Sequence, residues 1–179
     1  MTRAQDTVMP FEIKPLGVRG RVVRLGAVID DIVHRHDYPP VVSALLAEAI
    51  ALTAMLGATL KFEGKFILQT KTDGPVDMIV ADFMSPDGVR GYARFNKKKL
   101  DALAAPTQQD LLGKGYLAMT VDQGSDMERY QGIVPLDGTT LASAADTYFK
   151  QSEQIPTRLR LVSGPLLARG EKTTHWRAG

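Results

Sequence analysis

Hydrophobic and polar residues alternate along several short stretches of the chain, and this spacing predicts β-strands. Near the N-terminus, Phe11–Pro15 and Val18–Leu25 have this pattern. Lys65–Lys71, Pro75–Met84 and Val89–Phe95 follow, separated by Asp-Gly pairs. Such pairs favour tight hairpin turns, because glycine adopts positive φ at no steric cost. These segments therefore predict antiparallel hairpins.

The remaining pattern extends this alternation and adds short helices. Three further strands are predicted: Tyr116–Asp122, Glu128–Leu136 and Pro156–Val162. Apolar residues at helical spacing predict three short helices: one through Ile29, Ile32 and Val33, one over Lys97–Leu103, and one from Thr139 or Thr140 to about Gln151. Ala104–Asp110 is interpreted as a loop, and the tail from Ser163 as mixed, ending in a strand cut short at H-W-R-A-G.

Val41–Leu60 is the longest apolar stretch, and Pro39 or Pro40 is suited to open it as a helix. Its only charge is Glu48. A membrane span is one interpretation, but a central carboxylate is costly in hydrocarbon, and the abundant alanine favours a helix packed inside the protein. We therefore expect a buried core helix in which Glu48 has a partner, either an arginine or a backbone N–H.

Strands in hairpins and helices in separate blocks predict an α+β fold. We expect largely antiparallel sheet packed against the long Ala-rich helix and shorter helices. The chain has 179 residues, which fits a single domain over residues 1–179.

Composition excludes some classes of function. Lys and Arg total 22 against 20 Asp and Glu, and a net charge of +2 is too small an excess to indicate nucleic-acid binding. With no cysteine, the chain has neither a disulfide framework, nor a Cys-ligated metal, nor a thiol nucleophile. The first residues contain no apolar run of signal-peptide length.

The motifs do not support catalysis. Gly64-Lys65 and Gly113-Lys114-Gly115 lack the glycine spacing of phosphate-binding loops, and no serine lies in a G-x-S-x-G elbow. His34, His36 and Asp37 could be offered as metal ligands, but a solvated loop at a helix end explains them more simply.

Two strands are apolar on both faces. In the strand at 76–83, the predicted faces are Val76, Met78 and Val80 against Ile79, Ala81 and Phe83. Around 116–121, Leu117, Met119 and Val121 oppose Tyr116 and Ala118. Either a second layer of this chain covers the other face, or something outside the chain does.

Seven segments together resemble the heat-shock protein 33 family, the bacterial redox-regulated holdase chaperones. The segments are V-R-G-R-V-V-R-L-G at 18–26, H-D-Y-P-P-V-V-S-A-L-L-A-E-A at 36–49, L-K-F-E-G-K-F-I-L-Q at 60–69, D-G-P-V-D-M-I-V-A-D at 73–82, R-G-Y-A-R-F at 90–95, E-R-Y-Q-G-I-V-P-L at 128–136 and Y-F-K-Q-S-E-Q-I-P-T at 148–157. The likeness runs from about Phe11 to Gly179.

The resemblance implies an ATP-independent, non-enzymatic chaperone of the bacterial cytoplasm that holds unfolding proteins during oxidative and heat stress. Such proteins are often dimeric, and partners would be unfolded clients rather than nucleic acid or membrane. Candidate client contacts are Met78, Val80, Phe83, Leu117 and Met119.

In the family, a helical linker and a C-terminal zinc domain with a C-x-C and C-x-x-C tetrad follow this region. Because the chain has no cysteine, we expect no cofactor in it and interpret it as the substrate-binding core without its sensor, more simply a truncation than a natural form. Two alternatives stay open: a small-molecule enzyme using His34, His36 and Asp37 or Glu48, and a structural dimerisation domain.

Overall fold

The computed structural model describes residues 6–86, 88–124, 129–167 and 174–179. Within those residues the chain forms helices and antiparallel strands, which confirms the α+β prediction. Asp87 of the predicted turn, Glu128 at the start of a predicted strand, and 168–173 of the tail lie outside the described residues.

The N-terminal region forms a two-stranded hairpin. Strand β1 (Thr7–Ile13) pairs with β2 (Val18–Arg24) in antiparallel register. One 3-10 turn at Lys14–Leu16 joins them, closed by Gly17 at φ +61°. The first strand was predicted at Phe11–Pro15, and these bounds are wrong because Pro15 lies in the helical turn, where its fixed φ is tolerated.

Two helices follow this hairpin. Helix α1 (Ala27–His34) buries Ile29, Ile32 and Val33, the residues predicted to form its apolar face. Helix α2 (Pro40–Gly57) begins at Pro40, where the missing N–H costs no helical hydrogen bond. By length and composition α2 could also cross a bilayer. Its side chains are instead largely buried within the protein, as predicted for a core helix.

The central sheet has five antiparallel strands: β3 (Lys65–Thr72), β4 (Val76–Met84), β5 (Gly88–Phe95), β6 (Lys114–Asp122) and β7 (Tyr130–Asp137). Their order across the sheet is β5-β4-β3-β6-β7. All neighbours pair antiparallel, so the predicted hairpins are confirmed and the sheet joins them through β3 and β6.

Short helices connect and cover these strands: α3 (Lys97–Asp101), α4 (Gln108–Leu112) and α5 (Leu141–Gln151). Thr140 caps α5 by accepting a hydrogen bond from the Ser143 backbone N–H, as predicted. The predicted loop at Ala104–Asp110 is wrong at its end. Thr107 and Asp110 form a reciprocal capping box that starts α4 there.

The C-terminal part departs most from the prediction. The T-R-L-R-L alternation at Pro156–Val162 predicted a strand, but these residues have no strand structure. Only Leu159 among them is buried, and its N–H is bound by the Asp146 carboxylate. The pairing strands are β8 (Ser163–Leu166) and β9 (His175–Ala178), which confirms the expectation of a strand in the tail.

One carboxylate fastens β9 to α1. Asp30 accepts hydrogen bonds from the Trp176 backbone N–H and, at 2.7 Å, bonds the His175 Nδ1 atom. The guanidinium of Arg177 lies 3.4 Å from the same carboxylate. Beyond it, the backbone of Ala178 exchanges hydrogen bonds with Leu25, so β9 is held between α1 and the end of β2.

The core lies between α2 and one face of the central sheet. Gly91 of β5 and Gly57 of α2 permit close approach: a Cβ on Gly91 would lie 2.6 Å from the Ile50 Cδ1 atom, and one on Gly57 would lie 2.4 Å from the Phe83 Cγ atom. We call this sheet face the core face. Its fully buried members include Leu68, Ile79, Leu117 and Leu136.

A β-bulge divides β4. The register with β5 shifts between Val76 and Met78, so Val76 is fully buried while Met78 lies on the opposite face, partly exposed. The prediction that Val76, Met78 and Val80 share a face is therefore wrong for Val76. The hydroxyls of Thr70 and Thr72 bind backbone groups of Ile79 and Val76 on either side of the bulge.

Replacing Gly57 by alanine tests the contact of α2 with Phe83. Because the new methyl group would overlap the ring, we expect Gly57→Ala to lower the free energy of unfolding by about 1–3 kcal/mol, against the usual preference for alanine in helices. Urea denaturation measures it. Gly164→Ala is the matched control, since a Cβ there meets nothing within 4 Å. Equal stability of the two variants would contradict the close packing.

Candidate functional site

The face of the central sheet opposite α2, here called the open face, is apolar across its middle. Strand register places Tyr92, Val80, Gln69, Ala118 and Ile133 in one row that crosses all five strands. Four of these five side chains are apolar or aromatic. A sheet face in contact with water alone would carry polar residues there.

Neighbouring rows widen this surface. Met78 and Tyr116 flank Lys71 in the next row, and Ile67 lies between Asp82 and Thr120 on the other side. We call the combined surface the apolar band and define it as Ile67, Met78, Val80, Tyr92, Tyr116, Ala118 and Ile133. Its ends are the most exposed: Tyr92 is 42% exposed and Ile133 58%.

Internal ion pairs and hydrogen bonds border the apolar band. Arg90 binds Asp82 at 2.6 Å, and Arg94 binds Asp77 at 2.8 Å. Hydrogen bonding to Asp77 raises the pKa of Arg94, so it stays charged. Arg90 and Arg94 are thus matched by carboxylates of the same chain, whereas Lys65 and Lys71 on the open face form no ion pair among the described residues.

The β5 edge of the sheet is closed by an aromatic side chain. Ala93 donates its backbone N–H to the Tyr38 hydroxyl at 3.1 Å. Burial raises the pKa of Tyr38, which keeps this hydroxyl protonated. The ring of His36 packs against both Tyr38 and Tyr92. The edge at Ala93 is thereby a poorer template for strand addition.

The five predicted contact residues do not share one face. Met78 and Val80 lie on the open face and are partly buried. Phe83, Leu117 and Met119 lie on the core face with exposures of 5%, 0% and 2%. Register explains the split, because Met119 pairs with Leu68 and Leu117 with Thr70, both core-facing. A client role for any of the five stays a prediction.

Sequence reasoning missed most of the apolar band. Tyr92 and Ile133 were not among the candidates, because these were drawn only from the two strands whose sequence is apolar on both faces. Their alternation does place Tyr92 between two arginines, and Ile133 beside Gln131, on one predicted face. Joined to the strand order, that alternation would have identified both residues.

The residues of the enzyme hypothesis are not brought together around a metal. His34 bonds the backbone oxygen of Asp30 through Nδ1 at 2.8 Å, whereas His36 lies in the aromatic cluster. Among the described residues, no group of three or more His, Cys, Asp or Glu side chains could hold a metal ion.

Glu48 is part of a hydrogen-bond network rather than an ion pair. The Gln108 Nε2 atom donates to Glu48 Oε2 at 2.8 Å, and the Ser163 Oγ atom lies 3.3 Å from Oε1. The expected arginine or backbone partner is therefore wrong. Gln108 also accepts the backbone N–H of Leu141 at 2.6 Å, so this network ties α2 to the starts of α4 and α5.

The surroundings of Glu48 make its ionised form less favourable than that of an exposed glutamate, which raises its pKa. Ser163 has one hydroxyl proton, and its Oγ is 2.9 Å from the Ala44 carbonyl oxygen, a better acceptor distance than 3.3 Å to Glu48. A proton on Glu48 Oε1 could then be donated to Ser163 Oγ. Burial raises the pKa of Glu48, outweighing the opposite effect of the bonds from Gln108 and Ser163.

Comparison with known proteins identifies the family. The family model described as Hsp33 protein matches residues 6–170. The chain belongs to the Hsp33 family. The resemblance seen in the sequence is thereby confirmed.

Two curated relatives illustrate the match. The chain is 51% identical over 178 residues to the 33 kDa chaperonin of Caulobacter vibrioides, covering 97% of this chain and 58% of that protein. It is 40% identical over 162 residues to the 33 kDa chaperonin of Photorhabdus laumondii, covering 89% and 54%. The chain thus spans somewhat more than half the length of these relatives. Their names are those of a non-enzymatic family, which confirms the interpretation of the chain as a non-enzyme.

A solved structure shares the fold. The crystal structure of the 33 kDa chaperonin (heat shock protein 33 homolog) from Thermotoga maritima superposes with a TM-score of 0.72 at 23% identity. The match covers 96% of this chain and 59% of that one. At this identity the likeness supports the α+β architecture.

Glu48→Gln tests whether the network needs an ionised carboxylate at this position. Because the folded state raises the pKa of Glu48, it binds the proton more tightly than the unfolded chain does. The stabilising effect is present in acid and is lost as the pH rises from the ordinary carboxyl range through the raised pKa. We expect the variant to lose less stability than the wild type between pH 5 and pH 8, measured by urea denaturation.

Glu63→Gln, at an exposed position, is the matched control and should leave the pH dependence unchanged. At pH 8 Glu48→Gln should be as stable as the wild type or more so, since glutamine can donate to Ser163 and accept from Gln108. A loss of about 2 kcal/mol or more at pH 8, the cost of breaking a needed bond to a charged group, would show that the ionised carboxylate is required.

Proposed function

We propose that the chain is the client-binding core of an ATP-independent holdase, which binds unfolding proteins and prevents their aggregation under oxidative and heat stress. The apolar band is the observation that carries this proposal. We further propose that the protein works in the bacterial cytoplasm, in line with its family. We propose Met78 and Val80 as client contacts, together with Tyr92, Tyr116 and Ile133.

The physical properties of the band suit a surface that holds many different sequences. Five strands about 4.8 Å apart make a surface roughly 19 Å wide, enough to contact an extended apolar segment. Methionine adapts its shape to varied partners, and tyrosine offers a large apolar ring with a polar tip. Arg90 and Arg94 are neutralised by carboxylates of the same chain, so contact with the middle of the band rests mainly on apolar area.

The proposed redox control lies outside this chain. Oxidation-sensitive zinc binding needs cysteine thiolates, and the sequence has none. We therefore assign the cysteine tetrad implied by the resemblance to the part of family members that this chain does not span. Among the described residues no helix or strand covers the apolar band, so we expect client binding without any oxidant.

A second copy of the chain is the main competing occupant of the band. Family members are expected to dimerise, and a permanent dimer through the open face would leave no surface for clients. Sedimentation velocity over a range of concentrations separates the two cases. A tight dimer that does not slow client aggregation would favour the structural role.

Ile133→Ser tests the apolar band. Ile133 is 58% exposed, so the fold should tolerate the change, while the band loses its most exposed aliphatic side chain. We expect several-fold more chaperone to be needed for half-maximal suppression of light scattering by a heat-unfolded model protein, without oxidant or ATP. Ile155→Ser is the matched control, being 53% exposed away from the sheet, and should act like the wild type.

Circular dichroism melting of both variants checks the fold. Equal loss of suppression in the two variants would mean that general surface hydrophobicity matters rather than the band. Unchanged suppression by Ile133→Ser would remove the open face from the proposed mechanism.

A further inference from the structure

The N-terminal hairpin, residues 7–24, presents a second apolar surface separate from the central sheet. We call this hairpin the basic arm. Register places Met9 opposite Val22 and Ile13 opposite Val18, with the Phe11 ring lying over Gly20. All five side chains on this face are 43–47% exposed, and Leu16 at the turn is 72% exposed. The described structure leaves this face without a covering layer.

The opposite face of the arm is cationic. Arg19 and Arg21 lie beside a shallow groove of about 350 Å³, lined by Pro10, Phe11, Glu12, Arg19, Gly20 and Arg21. The Arg19 Nε atom binds Glu12 at 3.2 Å. Among the described residues Arg21 forms no ion pair, and neither does Arg24, which lies on the apolar face next to Val22 by register. The groove therefore has an unneutralised guanidinium on its wall.

The arm carries more positive charge than the whole chain. Lys14, Arg19, Arg21 and Arg24 against Glu12 give the arm a formal charge of +3, while the full chain has +2. The rest of the chain is thus −1 by difference. On the open face, by comparison, Arg90 and Arg94 are each paired with a carboxylate, while Lys65 and Lys71 form no ion pair among the described residues.

From this arrangement, and resting on the holdase function proposed above, we infer that the basic arm is a second client-contacting surface. It favours unfolded segments in which acidic residues accompany apolar ones. The apolar face would contact the segment's apolar side chains. Arg21 and Arg24 would attract its carboxylates, since complementary charge selects partners and speeds encounter.

A second copy of the arm is a poorer fit. Two arms bring +3 against +3. Pro10, in the middle of β1, also lacks the N–H that a continuous strand ladder would use, which is a common protection of edge strands. An anionic lipid surface shares the required chemistry in part, and the test below distinguishes it.

Arg21→Glu tests the inference with two clients of opposite charge. Because the chain has no cysteine, dithiothreitol can unfold disulfide-bonded clients without altering it. The clients are reduced α-lactalbumin, which is acidic, and reduced lysozyme, which is basic. We expect Arg21→Glu to need about 5-fold more protein than the wild type to suppress α-lactalbumin aggregation by half, with lysozyme unaffected or better suppressed. The difference should fade in about 0.5 M salt, where exposed charges are screened.

Lys98→Glu is the matched control. It makes the same change in net charge at an exposed site away from the arm, so both clients should behave as with the wild type. Equal effects of the two variants, or an Arg21→Glu effect on both clients alike, would overturn the inference. The inference would also be overturned if the wild type, but not Arg21→Glu, sedimented with phosphatidylglycerol vesicles while the two proteins suppressed client aggregation equally.

The two proposals fail separately. A wild-type chain that suppresses neither client overturns the holdase function and the arm's role with it. Suppression that depends on Ile133 but not on Arg21 leaves the holdase function standing and removes only the arm.

Discussion

The rest of the structure depends on enclosing one helix. Helix α2 is apolar on nearly every side and buries residues around its full circumference, so no single partner layer can shield it from water. The core face of the sheet covers one side, while α1, β8 and β9 contribute cover elsewhere. At the closest contacts, Gly57 of α2 lies against the Phe83 side chain, and Gly91 of β5 lies against the Ile50 side chain. The missing Cβ atoms let α2 approach the sheet closely. Burying α2 is what fixes which face of the sheet belongs to the core.

Because only one face of the sheet packs against α2, the two faces of the sheet differ. The core face is occupied by α2, and the open face has apolar residues without an equivalent helix above them among the described elements. Polar groups within the core are satisfied locally: the buried Thr53 hydroxyl donates to its own helix, and the Thr70 hydroxyl accepts from β4. The core face of the sheet therefore contributes to the stability of the fold, and the open face is available for binding.

Much of the fold followed from local pattern. Alternation and Asp-Gly turns located β3, β4 and β5, and the composition around Glu48 identified α2 as a core helix. Failures came where a few residues override the pattern: the bulge that turns Val76 inward, the capping box that starts α4, and the alternating arginines and leucines at 158–161 that find no neighbouring strand. The site was harder, because face assignment needs the strand order. Met119 and Met78 look alike in sequence, and only the pairing with β3 separates core from open face.

The bulge in β4 has a consequence for how this sheet can vary among relatives. A single extra residue separates Val76, whose side chain packs in the core, from Met78 and Val80, whose side chains lie on the open face. Gaining or losing one residue there would exchange the two surfaces along the strand in one step, because side chains alternate with a period of two. Length changes in β4 should therefore be rare across the family, whereas the turn after Met84 can absorb them without inverting either face.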